Sequence, residues 1–168
     1  MNVFFAVDQL SRLSALEVHK IYKLRVDVFV HEQKSPYQEI DEVDALDTTF
    51  HVQAWKHADL VERDLIACAR LYPEVSPSGD KRFHLGRVCV AQPYRDRGLG
   101  TEIMKQTLRL AAEQNPEFDV YIESQTTGVP FYEALGFTVS GAEFDWDGVP
   151  HLPMVLPAAK VAAFATLD

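Results

Sequence analysis

Arg95, Asp96, Arg97, Gly98, Leu99, Gly100 and Thr101 stand in a row between an apolar run and a helical pattern, and this stretch is equipped to hold an anion. Val88, Cys89 and Val90 have strand character, which Pro93 ends. Leu99, Ile103, Thr107, Leu110 and Ala111 then recur at helical spacing, in a helix ending near Gln114. Glycines between a strand and a helix allow a sharp turn and a close backbone approach. The first N–H groups of the helix lack internal partners and lie at the positive end of its dipole. The predicted product is a phosphate cradle. An ordinary strand-to-helix turn is the simpler account of two glycines. However, residues 81–109 carry seven Lys/Arg against two Asp/Glu, in a chain whose formal net charge is −9. A basic patch centred on a glycine turn in an acidic protein points to an anionic ligand.

The 168 residues suit one domain, with a core over 3–156 and a tail or short helix over 157–168. With 47% hydrophobic and 24% charged residues, the composition is that of a folded chain rather than a disordered one. No apolar run nears the roughly 20 residues of a membrane span, and the N-terminus has no signal-peptide pattern. A cytoplasmic protein without a membrane partner is expected. The negative net charge argues against nucleic acid, which requires a broad positive face. Cys68 and Cys89 lie in apolar strand-like runs, where cysteine behaves as a small hydrophobe, and no Cys or His spacing suggests a metal site.

Several elements must position the cradle. Residues 2–7 read as a strand, and Ser14 with Glu17 forms a capping box for a helix to about Phe29. Arg25 falls among that helix's apolar positions, either snorkelling to the surface or reaching into a site. Residues 30–49 form a long loop carrying Glu32, Glu39, Asp41, Glu42, Asp44 and Asp47. Such loops are usually functional or mobile; here Pro36 and Tyr37 among carboxylates offer a wall for a cationic amine, solvation being the alternative. Residues 50–55 and 65–72 predict a hairpin, and 120–124 a further strand. Pro130 to Gly136 predicts a short helix with Pro in its first turn and Gly past its end. Residues 138–144 and 151–156 predict a last hairpin around Asp147-Gly148.

In this order, strand, Arg-x-x-Gly-x-Gly loop, helix, strand and Phe131-Tyr132-x-x-x-Gly136-Phe137, the chain resembles the GNAT superfamily of N-acetyltransferases over about residues 65–156. Leu24-Arg25, Val28-Phe29-Val30, Glu32-Gln33, Pro36-Tyr37, Glu39, Asp41 and Gly148 to His151 resemble its ElaA-like branch. The resemblance implies an α/β (mixed α+β) fold. Its twisted, mixed but mostly antiparallel sheet is flanked by helices, with a V-shaped splay between two central strands. It also implies acetyl-CoA as acyl donor. The loop from Arg95 to Thr101 would hold the pyrophosphate, and the strand of Val88, Cys89 and Val90 the pantetheine arm and thioester oxygen. Phe131 and the pair Ser124-Gln125 would also lie at the cofactor; many relatives have Asn after the fifth strand, where this chain has that pair.

Acetyl transfer to a primary amine requires removal of the amine's proton and protonation of a leaving thiolate. A free alkylamine, with a pKa of about 10.4, is mostly charged at neutral pH. Tyr132, a phenol, is the expected acid toward the sulfur, with plain packing as its alternative. Glu123 is the first choice for base, directly or through water; alternation along its strand would equally place it on a solvated face. His84 and His151 are further choices for the proton. Arg25, Tyr37, Glu39, Asp41 and His151 are assigned to the acceptor, a small-molecule or protein amine. Two rivals stand beside this reading. Arg25, Phe29, Asp44, Asp47 and Arg70 follow an order similar to that in acyl-homoserine-lactone synthases, although a tryptophan expected soon after Phe29 is absent. A module that binds acetyl-CoA without turnover is the other. A homodimer through the tail after Pro157 stays open.

Overall fold

The computed structural model describes residues 1–57 and 63–166. Strand β1 (Val3–Asp8) leads to helix α1 (Ala15–Arg25). The predicted capping box is present: Ser14 Oγ accepts from the Glu17 N–H at 3.2 Å, and Glu17 Oε2 accepts from the Ser14 N–H at 2.8 Å. The α-helix does not run to Phe29 as expected. From Val26 to Glu32 it widens into a π-turn, in which the Gln33 N–H donates to the Val28 carbonyl. Val26, Val28 and Val30 are β-branched and crowd a regular turn.

Strands β2 (Phe50–His57), β3 (Arg63–Val75), β4 (Lys81–Val90), β5 (Val120–Gln125), β6 (Thr138–Val139), β7 (Phe144–Trp146) and β8 (Val149–Leu156) complete one sheet. Among the described residues its order is β1-β2-β3-β4-β5-β8-β6, with β7 also paired to β8. The expected antiparallel pairing of β2 with β3 is present, while connecting residues 58–62 lie outside the described residues. All pairings are antiparallel except β4 with β5. That parallel pairing is limited to Phe83 opposite Val120 and His84 opposite Tyr121. Beyond it the two strands part, which is the expected splay. Asp147 (φ 50°) and Gly148 (φ 85°) make the tight turn between β7 and β8.

Helix α2 (Leu99–Gln114) starts and ends where the periodicity placed it, and buries Leu99, Ile103, Met104, Thr107, Leu108, Ala111 and Ala112. These residues contribute to two packed clusters: Met104 and Leu108 pack with Leu71, Leu85, Ile122 and Met154, and Ile103 with Val52 and Ile66. Helix α3 (Val129–Ala134) has Pro130 in its first turn, and Gly136 beyond it takes φ 100°. The tail forms helix α4 (Ala158–Val161) and a further turn over Ala162–Thr166 lying on α2. Val161, 1% exposed, joins the core of its own chain. No described helix is long and apolar enough to cross a membrane.

Candidate active site at the parted strands

The site begins with a bulge. Cys68 faces Cys89 across β3 and β4, but Arg70 faces Gly86, so β4 has one more residue than β3 between these pairs. Arg87 absorbs the extra length at φ 52°, unusual for a residue with a side chain. Residues paired across strands share a sheet face, and alternate residues along a strand do too. Arg70, Tyr72, His84, Gly86, Tyr121, Glu123, Gln125 and His151 therefore lie on one face. The opposite face carries the core residues under α2.

Two cavities open at the splay. One, of about 330 Å³, is lined by the anticipated Tyr37, Asp41, Glu123, Ser124, Gln125 and His151. The other, of about 480 Å³, is lined by Val88, Cys89, Val90, Arg95, Asp96, Gly98, Leu99, Gly100, Thr101 and Phe131. Gln33, Val88, Gly128 and Tyr132 border both. Ser124 and Gln125 thus lie on the first cavity rather than along the cradle. Gln125 Nε2 donates to Gln33 Oε1 at 3.0 Å, tying the end of β5 to the π-turn at the junction.

In the cradle, Gly98 takes φ 77° and precedes α2 without a side-chain cap, so the first helical N–H groups remain available. A Cβ on Gly98 would meet nothing within 4 Å, so the turn requires glycine for its conformation rather than for space. The Arg95 side chain is tethered. Its Nε donates to the Val90 carbonyl at 2.9 Å, and its Nη2 lies 2.9 Å from Glu32 Oε2. Arg97 is exposed and borders neither cavity.

Tyr132 packs edge-on against Phe131 and Phe137, with ring centroids 5.1 and 5.9 Å away. Burial, with the neighbouring Cys89 thiol, pushes its phenol up to about 12, so it holds its proton through the neutral range. The Cys89 and Cys68 sulfurs lie 3.5 Å apart. The hydrogen bond with Cys68, together with burial, pushes the Cys89 thiol up, which makes it a neutral hydrophobe as expected.

The acidic loop is largely neutralised rather than solvated. Arg25 is 1% exposed, so it does not snorkel, and it lines neither cavity. Its Nε donates to Glu39 Oε1 at 2.9 Å and its Nη1 to Asp44 Oδ1 at 2.6 Å. Burial disfavours the Arg25 charge, but Asp44 and Glu39 outweigh this and raise its pKa. Glu39 is also buried, off the cavities and within 3.2 Å of Arg87 Nε, so neither Arg25 nor Glu39 is an acceptor contact. Burial pushes the Glu39 carboxyl up against the pull of the arginines. At Asp44 burial also pushes upward, but Arg25 and Arg70 prevail and hold it down. Asp41 does reach the cavity, 2.7 Å from Arg70 Nη1 and 3.5 Å from Arg87 Nη2.

Glu123 lines the cavity, and its Oε1 accepts from Tyr121 Oη at 3.1 Å. Burial and then Glu123 push the Tyr121 phenol up to about 12. His151 Nδ1 lies 2.8 Å from the Val149 carbonyl; a carbonyl only accepts, so Nδ1 carries a proton, and in the neutral ring the lone pair is at Nε2. The ring is held by Phe144, Trp146 and Tyr37. His84 Nδ1 lies 3.0 Å from Tyr72 Oη and 3.1 Å from Glu74 Oε1. Sequence reasoning did not assign Arg70, Tyr72, Gly86, Arg87 or Trp146, which line this cavity, to the acceptor. The available signal was alternation: Cys68, Arg70 and Tyr72 share one face of a strand otherwise rich in apolar residues.

Comparison with known proteins agrees with this geometry. A family model described as an acetyltransferase (GNAT) domain matches residues 23–158. The ElaA protein of Escherichia coli K12 is 32% identical over 146 residues, covering 86% of this chain and 90% of its own. The crystal structure of Escherichia coli ElaA superposes with a TM-score of 0.80 at 30% identity, over 92% of this chain and 99% of that one. An acyl-CoA N-acyltransferase from Pseudomonas aeruginosa gives 0.81 at 30% identity, with the same coverage of 92% and 99%. A CoA-dependent acyl-homoserine lactone synthase, BjaI, gives 0.72 at 18% identity over 97% of this chain and 88% of that one, a likeness of fold alone.

Proposed function

The chain belongs to the acetyltransferase (GNAT) family, and from that premise we propose that it moves an acyl group, in the first instance acetyl from acetyl-CoA, to a primary amine by direct attack in a ternary complex. One observation carries this reading: two cavities of different character meet at Tyr132, Val88 and Gly128. A donor in one and an acceptor in the other would meet beside a phenol that holds its proton.

Acyl-CoA supplies the activated thioester. The N–H groups of Leu99, Gly100 and Thr101 fit a pyrophosphate, at a helix start with no side-chain cap. Beyond His84, β4 has no β5 partner, so the backbone of Val88, Cys89 and Val90 on that side is free for the amides of an extended arm. A backbone N–H there would stabilise the charge developing on the thioester oxygen. The amine attacks in its neutral form, having released its first proton to water. As the C–N bond forms and the C–S bond breaks, Glu123 takes a second proton from the nitrogen and Tyr132 gives one to the departing sulfur. A proton passing through solvent from Glu123 to Tyr132 restores both. Tyr37, Asp41 and His151 wall the acceptor's side.

Two measurements test the reading together. Thermal unfolding with acetyl-CoA should show a raised midpoint, and mass spectrometry with an amine panel should show acylated product. A raised midpoint without product from any amine would leave a binding module. No shift at saturating acetyl-CoA would overturn the reading.

A further inference from the structure

Resting on that proposed transferase reading, we infer that the acceptor is an amino carboxylate, its anionic end taken by Arg70 and its amine presented on the Glu123 side of an opening above Gly86. The register supports the placement. Arg70 is directly opposite Gly86 on β4, and on the other side of β4 Glu123 lies two residues past Tyr121, beyond the last β4–β5 pair, on the same cavity as Gly86 and Arg70. Neighbouring strands lie about 4.8 Å apart, so Arg70 and Glu123 flank Gly86 from either side, more widely where the strands part. A Cβ at Gly86 would meet nothing within 4 Å, so the floor between the cation and the carboxylate is open space.

Arg70 carries the decisive detail. It is 4% exposed and lines the cavity, yet its Nε has no hydrogen-bond partner among the described residues. Its Nη1 is engaged by Asp41 and Asp44, and Nη2 is 3.4 Å from Asp41. A buried charged donor left unpaired is costly, and the guanidinium gains when a ligand oxygen enters beside it and the side chain turns Nε toward that oxygen. Arg87, by contrast, is spent on the carbonyls of Gln38 and Glu39 and on Asp41. The charged lining is balanced: Arg70 and Arg87 against Asp41 and Glu123. A zwitterion meets a carboxylate, Glu123, at its amine and a guanidinium, Arg70, at its other end. This replaces the expectation, drawn from the acidic loop, of an acceptor that is simply cationic.

The test compares kcat/KM, with acetyl-CoA as donor, across matched sets: an amino acid, its decarboxylated amine and its methyl ester, for phenylalanine, leucine and glutamate. The amino acid should be preferred roughly tenfold to 100-fold over both analogues, as for a charge-assisted hydrogen bond in a buried site. Arg70→Lys keeps a cation for Asp41 and Asp44 but removes the guanidinium, and should bring that ratio toward unity. A merely structural role for Arg70 would change all three substrates alike. Amines or esters acylated as well as the amino acids, or a diamine preferred over every amino acid, would overturn the inference and leave the transferase reading standing. Absence of transfer to any amine would remove both.

Discussion

Arg25 donates to both oxygens of Asp44, from Nη1 at 2.6 Å and from Nη2 at 3.1 Å, with neither side chain more than 1% exposed. Asp44 Oδ1 also receives Arg70 Nη1 at 3.0 Å, so the pair in α1 and the loop anchors a cation on the cavity wall. The chain of contacts continues from Arg70 to Asp41 and on to Arg87 at the bulge. Site geometry and fold stability are therefore set by the same ion pairs.

Asp44→Asn should cost about 3 kcal/mol at neutral pH, because it removes the carboxylate shared by two buried guanidinium groups and leaves Arg25 with Glu39 and Arg70 with Asp41. The folded pKa of Asp44 lies below its ordinary 3.8. Its stabilising contribution is thus complete above 3.8 and lost as pH falls through the lower folded value. Glu39 has the opposite sign. Burial raises it above 4.5, so its charged form costs stability above the raised value, and the cost disappears as pH falls. Glu39→Gln should therefore destabilise less than Asp44→Asn in urea unfolding at pH 7. Equal losses would contradict this ordering.

Tyr132→Phe should lower kcat strongly while leaving the CoA dissociation constant within about twofold, since the phenol is asked to act only as the C–S bond breaks. With its pKa near 12, the wild-type tyrosine stays protonated at any working pH. Stopped-flow turnover with parallel calorimetric titration of CoA separates the two effects. A matching loss in affinity would make Tyr132 a binding residue instead.

Gly98→Val forces a β-branched residue into φ 77° and should cost roughly 1–2 kcal/mol of stability, together with most of the acetyl-CoA affinity. Gly79, exposed at φ 92° in the β3–β4 turn, is the internal control. Gly79→Val should lose similar stability and no affinity. If both variants bind acetyl-CoA like the wild type, the cradle is only a turn.

Glu123→Gln retains an oxygen for the Tyr121 hydroxyl and removes the proton acceptor. A fall in kcat of roughly 10² to 10⁴ is expected for loss of a general base, with KM for acetyl-CoA unchanged. His151 also lines the cavity, and its neutral ring offers a lone pair at Nε2. If His151→Asn produces the larger fall, the base is the imidazole.

The glycine turn into α2 was legible because it is local: glycine conformation, helix start and flanking charges fall within seven consecutive residues. The hairpins and α2 followed from periodicity for the same reason. Arg25 and Glu39 were misplaced because their burial depends on ion pairs made across the sequence: Arg25 with Glu39 and Asp44, and Glu39 also with Arg87 at the β4 bulge. No periodicity in residues 30–49 records that pairing. Gly86 was likewise silent, since its role comes from lying opposite Arg70 and sharing a cavity with Glu123 from a third strand.

The tail offers a last discrimination, between packing within the chain and packing between copies. Val161 is buried in the cluster that includes Met104, Leu108 and Leu156, and the Ala158 N–H donates to Asp119 Oδ1 at 2.8 Å. Val161→Ala removes two methyl groups from that cluster and should cost about 2 kcal/mol. Because the contacts are made within one chain, the loss should be the same at every protein concentration. A subunit interface behaves differently, since its contribution rises with concentration by mass action. Urea unfolding of wild type and variant across a hundredfold range of concentration reads this directly. Parallel curves with a constant offset are expected, and an offset that grows with concentration would move the tail to a dimer interface.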